Sequence, residues 1–417
     1  MIRLHPVPDV EFDCPACGRE LAADGWYVPG MRTLAELSCH GCGRQYYGDL
    51  PSGFGLQYPI LLDRESGEVH DPAGVAWFAE LLRTSYADRT SSHVHIEVEE
   101  FRQLERPVLL DCLDGLYGHS LLKLLNAQYY LDHEPAFDLV VLLPRFLRWL
   151  APSGAAAVWT VDLPLARGAE WNDSLAAEVK RRLEPFEAAY LSLGFPHPPP
   201  AEYAIERFTG VAPRPVDAIE PVPDEPRITF VWRDDRHWRG DGRGRQHHQE
   251  ARINRLAELL LETFGGADVA VTGVGQPAPE RLAPAVDLRA PAPDASVERS
   301  WCERYRASDV VVGVHGSNML LPSAYAVAVV ELVPDDRAGN VGQSLLPRGP
   351  DARDVLYRYR MLPLVSSPED VAVVVTTLIR DLPLARVGFL LPPHPHETLR
   401  REPWQIAELR RRVAPRN

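Results

Sequence analysis

Short apolar runs separated by longer amphipathic stretches recur along this chain, and they form two series. The first series has apolar runs at 107–113, 137–143 and 155–161, with a helical pattern at 116–131. Apolar runs this short, bounded by helical stretches, are typical of strands buried on both faces of a parallel sheet. We therefore predict a βα domain in this part of the chain.

The second series begins after residue 226. Its apolar runs predict four strands, at 227–232, 268–273, 309–314 and 327–333. Helices are predicted at 249–264, 296–307 and 368–380. The first of these helices carries apolar residues along one face, at Ile253, Leu256, Ala257, Leu260 and Phe264. The pattern predicts a second βα domain.

Proline is dense between the two series, at 196–226, so we interpret that segment as an interdomain linker. Two βα domains joined in this way favour a ligand in the cleft between them. The basic, Gly-rich loop at 239–249 either orders over a ligand or is a mobile surface loop. Ahead of the first series, 51–105 contains one amphipathic stretch, at 75–82, and is interpreted as a connecting module.

The composition is that of a soluble globular protein, with 45% apolar and 24% charged residues over 417 positions. A formal net charge of −14 argues against a general affinity for nucleic acid phosphates. The positive charge is nearly all arginine, which suits bidentate phosphate recognition, and lysine occurs only as Lys123 and Lys180. No apolar secretory core and no run of about 18 apolar residues is present, so we expect a cytoplasmic protein without a membrane span.

Four of the six cysteines form two CxxC pairs, Cys14 with Cys17 and Cys39 with Cys42. A glycine follows each pair, and 21 residues separate the pairs. A CxxC turn places two sulfurs on one side of an ion, so two such turns supply the four ligands of tetrahedral zinc. We predict a structural zinc ribbon. Four thiolates leave zinc no open position, so the ribbon is expected to support folding or to dock a partner, not to catalyse.

The segment His315-Gly-Ser-Asn follows a predicted strand and opens a predicted short helix before Pro322. Ligands of open α/β sheets bind outside the carboxyl ends of strands, and a helix start offers unpaired N–H groups to a phosphate. Gly316 allows close backbone approach, and Ser317 or Asn318 can cap the helix. A capped turn without a ligand is the alternative interpretation.

Arg233 and Arg236 lie just beyond the first strand of the same predicted domain. Two guanidinium groups at this edge are suited to bind a diphosphate. Alternatively, they pair with Asp234 and Asp235 on a solvated loop, or those two carboxylates hold a metal ion. Because the arginines and 315–318 fall at one edge of the same predicted sheet, their coincidence favours phosphate binding.

His119 lies at the start of a predicted helix, after a strand and a Gly-containing loop. A histidine in this place can act as a general base, and Asp114 can either orient it or be the base itself. For a lone histidine, a helix cap or a buried polar group is the alternative.

Together these motifs resemble family 61 glycosyltransferases. The segment from His315-Gly-Ser-Asn-Met-Leu-Leu-Pro to Glu331 is similar to that family's HGAGL-to-glutamate segment. Tyr117-Gly-His-Ser-Leu-Leu resembles its GH-hydrophobic helix, and the strand end at 228–236 lies where the family has a phosphate-binding arginine. The resemblance covers about residues 107–380 and leaves out the ribbon.

The resemblance implies a GT-B fold, in which two Rossmann-like domains face each other, and a metal-independent, inverting sugar transfer. Carried over by position, the residues expected to bind the nucleotide-sugar donor are Arg233, His315, Gly316, Ser317, Asn318 and Glu331, the last through the ribose. Arg236 is expected to join them because it lies at the same strand end as Arg233. His119 would face the acceptor, with Asp114 beside it. The chain has Ser317 and Asn318 where the family has Ala-Gly, and this difference leaves the identity of the donor open.

The predicted order is a zinc ribbon at 1–50, a connecting module at 51–105, a Rossmann-like acceptor domain at 106–222, a Rossmann-like nucleotide-sugar domain at 223–390 and a helical tail at 391–417. The leading hypothesis is a glycosyltransferase with a nucleotide-diphosphate sugar as donor, structural zinc as cofactor, and a protein, glycan or small molecule as acceptor. One alternative is a non-catalytic nucleotide- or sugar-binding protein whose ribbon docks a partner. Another is an enzyme acting on nucleic acid, which the acidic charge disfavours.

Overall fold

Strands and helices alternate through both halves of the chain. A computed structural model describes residues 1–197, 203–215, 222–239, 245–347 and 353–389. The chain divides into two compact units, Met1–Pro199 and Pro200–Asn417. Parts of the predicted linker and of the loop at 239–249, and the whole predicted tail at 391–417, lie outside the described residues.

The strands are β1 (Ile2–His5), β2 (Ala22–Tyr27), β3 (Leu34–Ser38), β4 (Gln45–Asp49), β5 (Leu61–Asp63), β6 (Val69–His70), β7 (Ile96–Glu100), β8 (Pro107–Asp111), β9 (Asp138–Pro144), β10 (Ala157–Val161), β11 (Ala189–Leu191), β12 (Arg227–Trp232), β13 (Asp268–Gly273), β14 (Val286–Asp287), β15 (Val310–Val314), β16 (Ala328–Val333) and β17 (Tyr359–Pro363). The α-helices are α1 (Ala76–Ala87), α2 (Tyr117–Leu125), α3 (Ala127–His133), α4 (Asp173–Leu183), α5 (Glu206–Thr209), α6 (Arg245–Phe264), α7 (Ala295–Ala307), α8 (Leu320–Tyr325), α9 (Arg353–Arg358) and α10 (Pro368–Phe389).

A six-stranded sheet organises the first unit, with the order β1-β11-β8-β9-β10-β7. Its four central strands are parallel, while β1 and β7 pair antiparallel at the two edges. Numbered along the chain, the parallel strands are arranged 4-1-2-3, so the direction of the crossovers reverses between β8 and β11. Ligands of open α/β sheets bind at such a switch point, outside the carboxyl ends of the strands.

A second sheet in the first unit is antiparallel, with the order β2-β3-β4-β5-β6. Strands β2 to β4 belong to the predicted ribbon, whereas β5 and β6 come from the segment at 51–105. Cys14 and Cys39 pack in the same hydrophobic core as Leu109, Val140 and Trp159 of the parallel sheet. The ribbon and the parallel sheet are therefore built on one core.

The second unit contains six parallel strands in the order β14-β13-β12-β15-β16-β17. Strand β15 is a continuous buried apolar run, and β16 is buried throughout and apolar except for Glu331, as expected where helices cover both faces of a sheet. Numbered along the chain, the order is 3-2-1-4-5-6, that of the Rossmann fold, and its switch point lies between β12 and β15. The apolar face predicted on α6 is buried, and Ile253, Leu256 and Leu260 pack in this unit's core.

The predicted α/β class with parallel sheets is confirmed. Strands β8, β9 and β10 match the three apolar runs of the first series to within two residues at either end, and β12 and β13 match their predicted bounds. Across the described ranges, no helix combines the length and the apolar character needed to cross a bilayer.

Candidate functional site

Two loops of the second unit meet at the switch point of its sheet. Strand β12 ends at Trp232 and strand β15 ends at Val314, and the two strands are adjacent and parallel. Arg233 and Arg236 directly follow the first strand, and 315–318 directly follows the second. The prediction that both segments lie at one edge of the same sheet is confirmed.

Both guanidinium groups reach the same backbone carbonyl. Nη1 of Arg233 donates hydrogen bonds to the carbonyl oxygen of His315, at 2.8 Å, and to Oδ1 of Asn318, at 3.1 Å. Nη1 of Arg236 donates to the same carbonyl oxygen, at 3.0 Å. Arg233 also donates to Asp235 from Nη2 (2.6 Å) and Nε (2.9 Å), so the alternative ion pair coexists with the contact to the loop. We refer to Arg233, Arg236 and 315–318 as the arginine site.

The two cations of the arginine site affect each other. Burial, followed by the charge of Arg233, lowers the pKa of Arg236 below its ordinary value. Hydrogen bonds from Arg233 in turn lower the pKa of Asp235, so that carboxyl group is ionised. A bound anion offsets the repulsion between two neighbouring guanidinium groups, so the site is electrostatically suited to a diphosphate.

Gly316 gives the arginine site a backbone conformation that other residues rarely adopt. Its φ of 147° and ψ of −178° fall in a region occupied almost solely by glycine. A Cβ atom at this position would lie 2.0 Å from Nη1 of Arg233 and 3.2 Å from Oδ1 of Asn318. Backbone geometry therefore requires glycine here, and a larger residue would force the guanidinium group of Arg233 to move.

The helix after this loop begins differently from the expectation. A 3-10 turn covers Ser317–Met319, and α8 then runs through Pro322, which occupies its first turn, where proline is tolerated. Neither helical segment has a side-chain hydrogen bond at its N-cap. The expectation that Ser317 or Asn318 caps the helix is wrong, because Oδ1 of Asn318 accepts a hydrogen bond from Arg233 instead.

A buried hydrogen-bonded group supports the loop from below. Nδ1 of His315 lies 2.7 Å from Oε2 of Glu331, whose side chain is only 1% exposed. Oγ of Ser344 donates to both carboxylate oxygens of Glu331, at 2.7 and 2.9 Å. A carboxylate beside Nδ1 favours the tautomer that carries its proton there, which leaves Nε2 as the second hydrogen-bonding atom of the ring. Ser344 belongs to no pattern in the sequence and was not predicted.

A second polar group lies at the switch point of the first unit's sheet, just beyond β8. Nδ1 of His119 lies 3.2 Å from Oδ1 of Asp114, and the N–H of Leu116 donates to the same oxygen at 3.1 Å. Nζ of Lys123 lies 3.2 Å from Oδ2 of Asp114 and donates to the carbonyl oxygen of Leu113 at 2.8 Å. We refer to Asp114, His119 and Lys123 as the histidine site. The structure brings both predicted residues together, while their catalytic role stays a prediction.

The carboxyl group of Asp114 is buried but ionised. Its side chain is 3% exposed, and that of Lys123 is 2% exposed. Burial raises the pKa of Asp114, but the charge of Lys123 and the hydrogen bond from His119 outweigh burial and hold this pKa below its ordinary value. Lys123 is therefore the counter-ion of Asp114, and it was not predicted because a lysine within an apolar helix belongs to no motif.

Another carboxyl group lies at the end of β8. Asp111 is buried, and its Oδ1 accepts a hydrogen bond from the N–H of Leu113 at 2.9 Å. Burial raises the pKa of Asp111 to about 7, although the charge of Lys123 acts in the opposite direction. Near neutral pH, the same lysine thus lies close to one ionised carboxylate and to one carboxyl group that is partly protonated.

Aromatic rings adjoin the histidine site. The ring centroid of His197 lies 5.0 Å from that of His119, and the ring of Phe54 lies 5.2 Å from His119 and 5.8 Å from His197. The ring centroid of Trp77 lies 5.2 Å from that of Phe54. Burial, followed by the charge of His119, lowers the pKa of His197. These rings were not predicted, because His197 lies in a segment interpreted as a proline-rich linker and no motif marks Phe54 or Trp77.

The four predicted metal ligands converge. The Sγ atoms of Cys14, Cys17, Cys39 and Cys42 all lie within 4.8 Å of one another. The pairs Cys14–Cys42 and Cys17–Cys39 are separated by 3.6 and 3.4 Å. Sulfurs bound at ~2.3 Å to one tetrahedral ion lie about 3.8 Å apart, so the cluster fits a single metal ion with four thiolate ligands. Among the His, Cys, Asp and Glu side chains of the described ranges, these four cysteines are the group whose ligand atoms lie close enough together to bind one metal ion.

Comparison with known proteins yields structural likeness without a sequence match. No protein-family model matches this sequence, and no curated protein does. Similar solved structures include ADP-heptose LPS heptosyltransferase II from E. coli, at 13% identity and a TM-score of 0.36, covering 66% of this chain and 98% of that chain. Heptosyltransferase WaaC from E. coli with ADP is similar at 14% identity and a TM-score of 0.38, covering 66% of this chain and 99% of that chain.

A further similar structure is that of TibC from enterotoxigenic E. coli, an iron-containing dodecameric glycosyltransferase. It is 14% identical, with a TM-score of 0.30, and the match covers 79% of this chain and 78% of that chain. At such low identities and TM-scores, the function of this chain rests on the residues of its own two sites.

Proposed function

We propose that this chain is a GT-B glycosyltransferase that moves a sugar from a nucleotide-diphosphate sugar to an acceptor hydroxyl group. The observation that carries the proposal is the convergence of Arg233 and Arg236 on the loop at 315–318, at the switch point of a sheet with the order 3-2-1-4-5-6. Nucleotide ligands bind at this point of such sheets. The resemblance of the same segments to family 61 glycosyltransferases supports the proposal.

In the proposed complex, the arginine site binds the diphosphate. Arg233 and Arg236 supply positive charge, and the backbone N–H groups at 316–318 supply donors. Cleavage of the sugar–phosphate bond leaves negative charge on the departing diphosphate. Fixed donors at the place where charge develops are often the largest contribution to catalysis.

The buried group below the loop holds His315 in one orientation. Glu331 accepts a hydrogen bond from the protonated Nδ1 of His315, so Nε2 is the ring atom that is left to bind a ligand. The family resemblance assigns Glu331 to the ribose, whereas its bonds to His315 and Ser344 support a positioning role. Either role makes Glu331 part of the donor site.

The histidine site supplies the base. His119 is the more exposed member, at 18%, and Asp114 lies buried beside its Nδ1. This arrangement supports His119 as the group that takes the proton of the acceptor hydroxyl and Asp114 as the carboxylate that orients the ring.

The proposed reaction is a single displacement with inversion. The acceptor oxygen attacks the anomeric carbon, its proton passes to His119, and the anomeric C–O bond breaks with its electron pair leaving on the diphosphate. The two arginines supply the counter-charge for that leaving group, so the proposal requires no divalent cation at the donor. The four-cysteine cluster has no part in these steps, and we assign it to a structural zinc ion that stabilises the first unit.

The decisive experiment is titration of the protein with ADP, UDP, GDP and their sugar conjugates by isothermal calorimetry. We expect one nucleotide diphosphate to bind, and Arg233→Ala to weaken it about ten- to a hundredfold, because a hydrogen bond to a charged group contributes about 1.5–3 kcal/mol. Arg306→Ala, at an exposed i,i+3 ion pair on α7, is the matched control and should bind as the wild type does. Unchanged binding in Arg233→Ala would refute the proposal.

A second variant distinguishes catalysis from binding alone. His119→Ala should retain nucleotide affinity and lose transfer and hydrolysis of the bound nucleotide sugar, measured by release of the nucleotide diphosphate. If the wild-type protein binds a nucleotide sugar but releases no nucleotide diphosphate with any acceptor, the chain is a binding protein and the enzymatic part of the proposal fails.

A further inference from the structure

An exposed tryptophan lies next to the histidine site. The Trp77 side chain, near the start of α1, is 54% exposed, although it is among the largest apolar groups of the chain. Its ring packs edge-on against Phe54, with centroids 5.2 Å apart at 84°. Phe54 makes the same kind of contact with His119, also at 5.2 Å between ring centroids. The buried ring of Phe54 is therefore in contact with both the exposed indole and the proposed base.

The backbone around Phe54 is built to hold that ring in place. The N–H of Gly53 donates to the carbonyl oxygen of Leu193 at 2.7 Å, which ties this turn to the loop after β11. Gly53 has a φ of 59°, in the left-handed region. At Gly55 a Cβ atom would lie 2.4 Å from the carbonyl oxygen of Leu50. Glycine at these two positions permits the tight turn that places Phe54 beside the loop after β11.

The segment that carries these rings is the one interpreted from sequence as a connecting module. Its Phe54 and Trp77 lie near the segments that follow β8 and β11, and these segments contain His119 and His197. Ligands of α/β sheets bind at this place, and an amphipathic ring with one wet face is typical of a binding surface. The module therefore contributes to a site and does more than connect.

We propose that the acceptor is a saccharide whose ring packs on the exposed face of Trp77, beside His119. The inference rests on the proposed glycosyltransferase function. The C–H groups on one face of a pyranose carry partial positive charge and pack against the negative face of an indole. The equatorial hydroxyl groups of such a ring point sideways, toward polar partners, and the imidazoles of His119 and His197 are the polar rings grouped around Phe54.

Saccharide chemistry fits this surface. The exposed indole and the two imidazoles all pack around Phe54, and an aromatic face next to groups that donate and accept hydrogen bonds suits a ring that has both C–H faces and hydroxyl groups. His197 also suits a neutral hydroxyl ligand, because its lowered pKa keeps the imidazole uncharged and able both to donate and to accept.

The test uses saturation-transfer difference NMR on the full-length protein with saturating nucleotide diphosphate. The probes are short unlabelled oligosaccharides of glucose, galactose, mannose, xylose, rhamnose and N-acetylglucosamine, and a parallel set of simple phenols. We expect at least one oligosaccharide to receive saturation, strongest at its ring C–H protons. Trp77→Ala should weaken that saccharide about tenfold or more, and Trp77→Tyr, which keeps an aromatic face, should weaken it less than Trp77→Leu does.

Phe101→Ala is the matched control, because Phe101 is equally exposed, at 60%, but follows β7 at the sheet edge remote from β8 and β11. It should leave saccharide binding unchanged. The inference is overturned if no oligosaccharide binds, if Trp77→Ala binds it as tightly as wild type does, or if only phenols bind. In each sample the nucleotide diphosphate is titrated as well. Retained nucleotide binding without saccharide binding refutes this inference alone, and loss of both refutes the proposed function too.

Discussion

At the scale of single residues, Lys123 is the group that determines the charge of the histidine site. It lies 3.2 Å from the carboxylate of Asp114, and its charge also acts on Asp111. Both carboxyl groups are buried, yet the pKa of Asp114 is lowered and that of Asp111 is raised to about 7. The difference arises because Asp114 has contacts with both Lys123 and His119, while burial dominates at Asp111.

The pKa of Asp111 predicts a pH-dependent stability. In the unfolded chain the Asp111 carboxyl group has a pKa of ~3.9, whereas in the folded protein its pKa is about 7. Between these two pH values the folded state therefore binds more protons than the unfolded state, so the free energy of unfolding falls as pH rises through this window. Asp111→Asn removes this pH-dependent loss of stability. We expect the free energy of unfolding at pH 8 to rise by about 2–4 kcal/mol relative to wild type, with no difference near pH 4, measured by urea unfolding across the pH range.

Asp138→Asn provides the control of opposite sign. Burial raises the pKa of Asp138, but hydrogen bonds from the N–H groups of Arg106 and Glu105 hold it below its ordinary value. Its stabilising contribution is present above the unfolded pKa and is lost as pH falls, so Asp138→Asn should destabilise the protein at pH 8. A uniform effect of Asp111→Asn at all pH values would contradict the assignment.

The residues of the two sites differ in how far sequence alone could identify them. Arg233, His315 and His119 were predicted because each follows a strand end, where the fold class places ligands. Lys123 and Trp77 could not be predicted, since their roles depend on contacts across the fold that no local pattern records.

At the scale of elements, Gly316 determines the geometry of the loop between β15 and α8. We predict that Gly316→Ala destabilises the second unit by about 1–3 kcal/mol, because alanine rarely adopts its φ of 147°. It should also weaken nucleotide diphosphate binding at least as much as Arg233→Ala does, since the new methyl group would displace the guanidinium of Arg233. Calorimetric titration and thermal unfolding measure the two effects.

Gly339→Ala is the matched control, because a Cβ atom there would meet nothing within 4 Å. It should change neither quantity. Full nucleotide affinity in Gly316→Ala would show that the loop tolerates a side chain and that the arginine site has another geometry.

Long apolar parallel strands were predicted well, whereas short strands and strands that alternate in polarity were not. A run such as Val310–Val314 is apolar throughout, because both faces of its sheet are covered, and it can therefore be predicted as a strand from the sequence. Strands β1, β7 and β11 are short or alternate polar with apolar residues, and their partners lie far away in sequence. Pairing partners at such separation leave no periodic signal in a single sequence.

At the scale of the whole molecule, the cysteine cluster and the parallel sheet of the first unit depend on one hydrophobic core. We predict that Cys39→Ser, or removal of the metal by a strong chelator, accelerates hydrogen exchange in peptides throughout 1–197. Nucleotide diphosphate binding, which belongs to the second unit, should persist. Exchange resolved by mass spectrometry, together with a colorimetric assay of released zinc, tests both parts.

Cys302→Ser serves as the control, because Cys302 is a buried cysteine of the second unit outside the cluster. It should release no metal and leave exchange in the first unit unchanged. Native exchange in a metal-free Cys39→Ser protein would show that the cluster does not support the fold.

The pairing of β1 with β11 has a consequence for how the protein is made. Residues 2–5 emerge from the ribosome long before their partners at 189–191, which are added only when nearly the whole first unit has been synthesised. The two cysteine pairs are close in sequence and are available early, whereas the edge of the parallel sheet is completed last. Contacts of such long separation slow folding. In a nascent chain paused before residue 189, β8 would therefore be an exposed edge strand. Exposed edge strands bind chaperones and promote aggregation.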